Sequence, residues 1–368
     1  MQHIRIDRGA RLRDEPHTGH NRWHPDIEPI ATVAPGETIR LETRDASDGQ
    51  IQPGMTIADL DGLDTRVAHP VTGPVAVAGA VPGDLLEVEF VDIVAEPYGW
   101  TRIRPGAGFL REHISGPFLA HWHAADGFAR SAQVPGVRIP EGAFMGTSAV
   151  APSLEEVAAW NAREQAVRDA GGIAPGPDVT DAVPATGAPA SSGLRTIPPR
   201  ENGGNMDIKQ LTRGSRLFLP VSVPGALFST GDAHYAQGDS ECCITAIEMG
   251  ATVDVRFQLH AGRAARENIV FPRFAHPGYF LAPQWAAPCN IIATTGMPIR
   301  ADGSNDGENV TLAAENALLA MIDLLVQRGY SREQAYVICS VAVDLRISNI
   351  VDLPNVTVSA LLPEGIFE

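Results

Sequence analysis

Short stretches of alternating apolar and polar residues dominate the first half of the chain. Residues 38–45 (TIRLETRD) alternate ahead of the turn SDGQ, and 85–94 (LLEVEFVDIV) alternate after VPGD. Alternation over this length predicts half-buried strands. The run 70–84 (PVTGPVAVAGAVPGD) sets a β-branched segment between Pro and Gly punctuation, a hairpin-like signal, and WHAADGFARS reads as two strands joined by a turn. Helical periodicity first takes over at 153–171, with Ser153 as N-cap, Glu156 completing a capping box and Gly171 as the stop. Residues 215–224, 241–249 (ECCITAIEM) and 251–260 return to strand character. Residues 310–329 then form the strongest 3.6-period pattern, 331–345 a second helix capped by Ser331, and the tail 351–363 a last strand.

Between the two halves, 172–199 is rich in Pro, Ala, Gly and Ser and has no period. It divides the chain into an N-terminal β-rich part (1–171), a connection (172–199) and a C-terminal α+β part (200–368). Many short strands with few helices predict a β-dominated α+β fold built from sandwich-like units. So extended a connection is expected to find its burial against a neighbouring subunit, which predicts a homo-oligomer.

Composition narrows the function. With 28 Lys+Arg against 44 Asp+Glu and a net charge of −16, the chain is not expected to bind nucleic acid or anionic membranes. No apolar run reaches the length of a membrane span, and the start lacks the apolar core of a secretory signal. Four cysteines (Cys242, Cys243, Cys289, Cys339) without a CxxC form no disulfide framework, so a cytoplasmic protein with reduced thiols is expected. Among 28 basic residues there is one lysine, Lys209. Either it remains by chance, or it marks a place that needs a compact, tunable amine.

Polar residues concentrate where packing does not require them. Asp207, Lys209, Asp232, His234, Gln237, Asp239, Glu241 and Glu248 all fall within β-rich sequence. On a strand, Asp232 and His234 share a face and form half of a zinc-type site. Each residue also has an ordinary reading: a turn Asp with a solvated His, a strand-end Glu248, a small buried Cys243. Their density favours a site, because so much charge beside apolar strands is costly otherwise. Other candidates carry weaker signals. His20 and His24 flank Trp23, His121 and His123 form an H-x-H without a carboxylate neighbour, Asp48 suits a turn, and Asp344 with Arg346 suits a buried pair.

The segment NGGNMDIKQLTRGSRLFLPVSVPGALFSTGDAHYAQGDSECCITAIEM resembles the hallmark of the acetamidase/formamidase family. HNRWHPDIEP, RDASDGQI, HPVTGPVAVAGAVPGDLLEVEFVDI, FMGTSAVAPS and SVAVDLRISNIVDLPNVTVSALLP are similar to its remaining motifs, so the resemblance runs from about residue 17 to 368. The connection ending in LRTIPPRENGGNMD looks like the formamidase branch. Ser240 departs from the pattern, since QGDSE stands where the family has QGDGE.

The resemblance implies jelly-roll-like β units, hydrolysis of short aliphatic amides, formamide foremost, to acid and ammonia, and a homo-oligomer. Two mechanisms fit the residues. In the favoured one, Asp207, Asp232 and His234 hold a divalent metal, zinc foremost, with Glu248 as base and Lys209 stabilising the oxyanion. In the other, Cys243 attacks as a thiolate with Lys209 and a Glu as partners. Asn205, Gln237, Asp239 and Glu241 are assigned to the substrate pocket in either case. A silent small-amide-binding protein and a hydrolase of larger amides are the competing functions.

Overall fold

The computed structural model describes residues 1–278 and 290–368, so Cys289 lies outside the described residues. Two large sheets carry the fold. The first is six-stranded, in the order Gln2–Ile4, Thr38–Thr43, Ala251–His260, Leu85–Ala95, Arg216–Pro220, Arg273–Ala275. The second is eleven-stranded. Its main path runs Val134–Pro140, Phe128–Ser131, Phe118–Ala125, Tyr98–Ile103, Glu248–Met249, Phe228–His234, Phe144–Ala149, Gly203–Asn205. The β-dominated α+β reading holds.

Strands from both sides of the 172–199 connection share both sheets, so the 1–171 and 200–368 parts interleave rather than form separate bodies. One apolar cluster joins Leu41, Phe90 and Phe257 of the first sheet to Trp122 and Phe228 of the second. Phe228 meets Phe257 edge-on, with ring centroids 5.3 Å apart.

Three elements differ from expectation. Val71–Val77 joins the second sheet while Leu85–Ala95 joins the first, so the Pro/Gly punctuation between them marks a crossing between sheets and not a hairpin. The stretch ECCITAIEM is turn and irregular chain until Glu248–Met249. Glu241 (φ 49°) and Ile244 (φ 79°) take left-handed backbone, which interrupts any ladder there. The second C-terminal helix stops at Ala342, and Asp344–Asn349 is already a strand.

The connection is also not free coil. It contains the short helix Gly187–Ser192, and Leu194–Arg195 pairs with Arg22–Trp23. Asn21 Oδ1 accepts from the Val183 N–H at 2.8 Å, and Leu194 packs with Trp23 and Trp160. The chain itself thus buries much of the second half of the connection, while Ile173 and Val179 in its first half stay exposed.

Helices form where capping and periodicity place them. Leu154–Asp169 begins with the Ser153–Glu156 capping box, and Arg332–Ala342 with Ser331 and Gln334. Val310–Gln327 has the length and apolar content of a membrane-crossing segment. Here it buries Ala313, Ala317, Leu318, Met321, Ile322 and Leu325, packing on the three-stranded sheet of Ile291–Gly296, Thr357–Pro363 and Asp344–Asn349.

Candidate active site

The fully buried strand Phe228–His234 runs between Phe144–Ala149 and Glu248–Met249. Its alternation puts Asp232 and His234 on one face, with Asp232 Oδ1 3.5 Å from His234 Nε2. Antiparallel register sets Glu248 directly opposite His234, and Glu248 Oε2 lies 3.2 Å from the same Nε2. Asp207 arrives on the turn after Gly203–Asn205, where its N–H bonds to the Gly146 carbonyl at 3.2 Å.

Gly146 makes this approach possible, since a Cβ there would lie 2.5 Å from Asp207 Oδ1 and 3.0 Å from Asp232 Oδ2. Asp207 (φ 48°), Asp232 (φ 56°) and Glu241 (φ 49°) all hold left-handed backbone, so strain is concentrated at this cluster.

Neighbouring side chains fix the orientation of each group. The amide of Asn205 donates to Asp207 Oδ2 at 2.9 Å, and Thr147 Oγ1 donates to Asn205 at 2.6 Å. Gln237 donates through Nε2 to the Asp207 carbonyl at 2.8 Å, which leaves its Oε1 to accept from His234 Nδ1 at 2.9 Å. In the neutral imidazole Nδ1 therefore carries the proton and the Nε2 lone pair faces the carboxylates, while the charged ring turns a second N–H toward them.

Asp207, Asp232 and His234 form one group whose ligand atoms lie within 4.8 Å of one another, and His234, Glu241 and Glu248 form a second. Asp207 Oδ1, Asp232 Oδ1, His234 Nε2 and Glu248 Oε2 are buried without a hydrogen-bond partner among the described residues.

The electrostatics are those of crowded negative charge. Burial and the nearby Asp232 push the Asp207 carboxyl up to about 6. Burial also raises Glu248, and raises Glu241 strongly with Asp207 beside it. Burial works against charge on His234, yet Glu248 and Asp232 outweigh it and hold the imidazole well above its ordinary value. Burial likewise opposes the Asp232 charge, while His69 and His234 hold its carboxyl below the usual range. Four carboxylates, Asp232 and Glu248 buried and Asp207 and Glu241 partly so, around so few imidazoles call for a further cation.

A cavity of about 160 Å³ opens on the cluster, lined by His69, Asn205, Asp232, Glu241 and Glu248. His69 was not singled out from sequence. Its Nδ1 is 3.5 Å from Asp232 Oδ2, and its N–H donates to Thr196 Oγ1 of the connection at 2.7 Å. It opens the motif HPVTGP, but more than a hundred residues separate it from Asp232, so no local spacing pointed to it.

Other candidates fall outside the cluster. Lys209 pairs with Asp344, which also accepts from the Asp239 N–H at 3.0 Å, and Asp239 accepts from Gln210 Nε2 at 3.0 Å. Neither Lys209 nor Asp239 lines the cavity. Cys243 is buried with Sγ 3.5 Å from the Thr245 carbonyl, and burial pushes its thiol up, against thiolate formation. Gly238 packs closely against the strand that begins at Asp344, since a Cβ there would lie 2.2 Å from the Val343 carbonyl oxygen. His121 bonds through both ring nitrogens, to Tyr98 Oη at 2.7 Å and the Met55 carbonyl at 2.8 Å. Asp48 holds left-handed turn backbone (φ 59°) and accepts from the Leu12 N–H at 2.9 Å.

His20 bonds Ser229 Oγ at 2.7 Å, and burial pushes its imidazole down to about 4. Because its folded pKa lies below the unfolded value of 6.5, the unfolded chain takes up the extra proton first. This group's contribution to stability is therefore present above pH 6.5 and lost as the pH falls toward 4. Urea unfolding of wild type and His20→Gln at pH 7.5 and 5 is expected to show a smaller acid loss in the variant, by about 2 kcal/mol.

A cluster of carboxylates and an imidazole beside a small cavity, set in a β-dominated fold, has the chemistry of a hydrolase. The chain belongs to the acetamidase/formamidase family, whose model matches residues 5–368, and it is an amide-hydrolysing enzyme. It is 37% identical over 365 residues to an acetamidase of Mycolicibacterium smegmatis, covering 90% of this chain and 87% of that one. It is 34% identical over 376 residues to a formamidase of Methylophilus methylotrophus, covering 95% and 89%. Among solved structures, a gamma lactamase from Delftia acidovorans superposes with a TM-score of 0.94 at 35% identity, covering 100% of this chain and 94% of that chain.

Ser240 stands at φ 122° on an exposed turn, backbone that glycine adopts without strain. Ser240→Gly is expected to stabilise the fold by about 1 kcal/mol, read as a rise in Tm. An unchanged or lower Tm would show that the serine side chain compensates its own strain.

Proposed function

We propose that this enzyme cleaves short amides by attack of water at the Asp207–Asp232–His234–Glu248 cluster, with a divalent cation, zinc foremost, held by Asp207, Asp232 and His234. The observation that carries this reading is the convergence of buried, unpartnered atoms from all four side chains. When bound, the cation would polarise the amide carbonyl and ease deprotonation of water.

The chain's own residues then do the following. Gln237 holds the His234 tautomer, and Asn205 fixes the Asp207 carboxylate. Glu248, raised by burial, takes a proton from the attacking water and returns it to the leaving nitrogen, so that carboxylate and ammonia result. Cys243 has neither the access nor the lowered pKa that the thiolate route requires.

The cavity of about 160 Å³ has room on the order of ten waters. The proposed substrates are therefore short amides in general, formamide and acetamide among them, rather than formamide alone. Ammonia release from formamide, acetamide and propionamide tests this. Turnover of at least one supports the reading, and release from none removes it.

A further inference from the structure

The cavity has a second chemical character away from the carboxylate cluster. Trp100 and Arg102 lie on one face of the strand Tyr98–Ile103, with Arg104 just beyond its end, and all three line the cavity. Trp100 pairs in register with Glu248, so this strand sits directly beside the base.

Trp100 is fixed by its Nε1–H donating to Asp45 Oδ2 at 3.0 Å, and the Arg102 guanidinium lies 5.8 Å from its ring centroid. The Arg102 backbone is held from both directions by Thr245 Oγ1, which accepts its N–H at 3.0 Å and donates to its carbonyl at 2.9 Å. The arginine therefore projects from a rigid base.

What the two guanidiniums lack is a partner. Arg102 Nε is buried without a hydrogen bond, and neither Arg102 nor Arg104 forms an ion pair among the described residues. In a chain of net charge −16, acidic partners are plentiful and most arginines have one. Arg104 instead acts on Arg102 as a like charge, after burial, and lowers its pKa. Asp64 also lines the cavity, but its carboxylate is taken by Arg66 at 2.8 Å. Glu248 and Asp45 act on Arg102 as opposite charges without pairing with it, so two guanidiniums with no direct ion pair among the described residues, one of them partly buried, are open to an anion, and their planar forks match a carboxylate.

We infer that the preferred substrate is a short amide bearing a carboxylate at its far end, the monoamide of a small dicarboxylic acid, with Arg102 and Arg104 holding that carboxylate while the amide meets Glu248. This rests on the amidase reading above and names its substrate class. The chemistry is unchanged: water adds to the amide carbon, the C–N bond breaks, and the nitrogen leaves as ammonia with a proton returned to it.

The test compares kcat/KM for succinamate with that for butyramide, an uncharged amide of equal chain length. Wild type is expected to favour succinamate by roughly 10–100-fold, the worth of hydrogen bonds to a charged group. Arg104→Met, at an exposed position, should lower that ratio about tenfold, mainly through the KM for succinamate, and Arg102→Lys should lower it while keeping the charge. Calorimetry with succinate should show binding to wild type that weakens in Arg104→Met. Equal turnover of the two amides, or a ratio unmoved by both variants, overturns the inference and leaves the amidase reading standing. Release of ammonia from no amide overturns the amidase reading instead, and succinate binding then decides the anion site by itself.

Discussion

Glu248→Gln is expected to lower kcat for amide hydrolysis by roughly 10²–10⁴, with little change in KM, because glutamine cannot accept the water's proton. The geometry makes this a clean substitution. Glu248 Oε1 accepts the Ala246 N–H at 2.9 Å, which aims Oε2 at His234 Nε2. A glutamine can keep the first contact through its own carbonyl oxygen and lose only the basic atom. The measurement is steady-state ammonia release, with a thermal melt to show that the variant is folded. A folded variant within tenfold of wild type would move the proton transfer to another group, with Glu241 the next candidate because it lines the same cavity.

Lys209→Met is expected to act on stability rather than first on chemistry. The Lys209 ammonium and the Asp344 carboxylate pair with side chains only 6% and 15% exposed, and burial raises the Asp239 carboxyl while Lys209 lowers it. Removing the cation leaves these largely buried carboxylates with only the exposed Arg346, 3.8 Å from Asp344, as counter-charge, which costs up to about 3–5 kcal/mol. Urea unfolding should show that loss, and adding Asp344→Asn to Lys209→Met should recover part of it. If the single variant instead unfolds within 1 kcal/mol of wild type while kcat falls 10²–10³-fold, the ammonium stabilises the developing oxyanion. The pair also gives the single lysine a physical reason, since an arginine fork is larger than the compact ammonium that fits against Asp344.

The parts of the site that lie close in sequence were legible from it. Asp232 and His234 are two residues apart on a strand, and their shared face follows from the period of 2. Asp207 and Glu248 were found through motif density, and cross-strand register brings them in. The helices at 154–169 and 332–342 were readable because capping boxes are local signals.

What failed was long-range or depended on backbone handedness. His69 reaches Asp232 through the antiparallel pairing of Val71 with Gly231 and the contact with Thr196. Lys209 and Asp239 sit among the site motifs in sequence, and their pairing with Asp344, more than a hundred residues away, could not be read from local spacing. ECCITAIEM has strand composition, yet left-handed Glu241 and Ile244 turn the chain so that Glu241 faces the cavity while Cys243 stays in the core. Local propensity yields there to the demands of the site.

In the proposed mechanism Asp207, Asp232 and His234 hold a divalent cation on which amide hydrolysis depends. Metal content of the purified enzyme, measured together with ammonia release before chelation, after chelation and after adding zinc back, tests it most directly. Close to one equivalent of divalent metal per chain is expected, with loss of activity when it is stripped and recovery on its return. Full activity in metal-free enzyme, with an acyl adduct trapped on Cys243 by mass spectrometry, would contradict it.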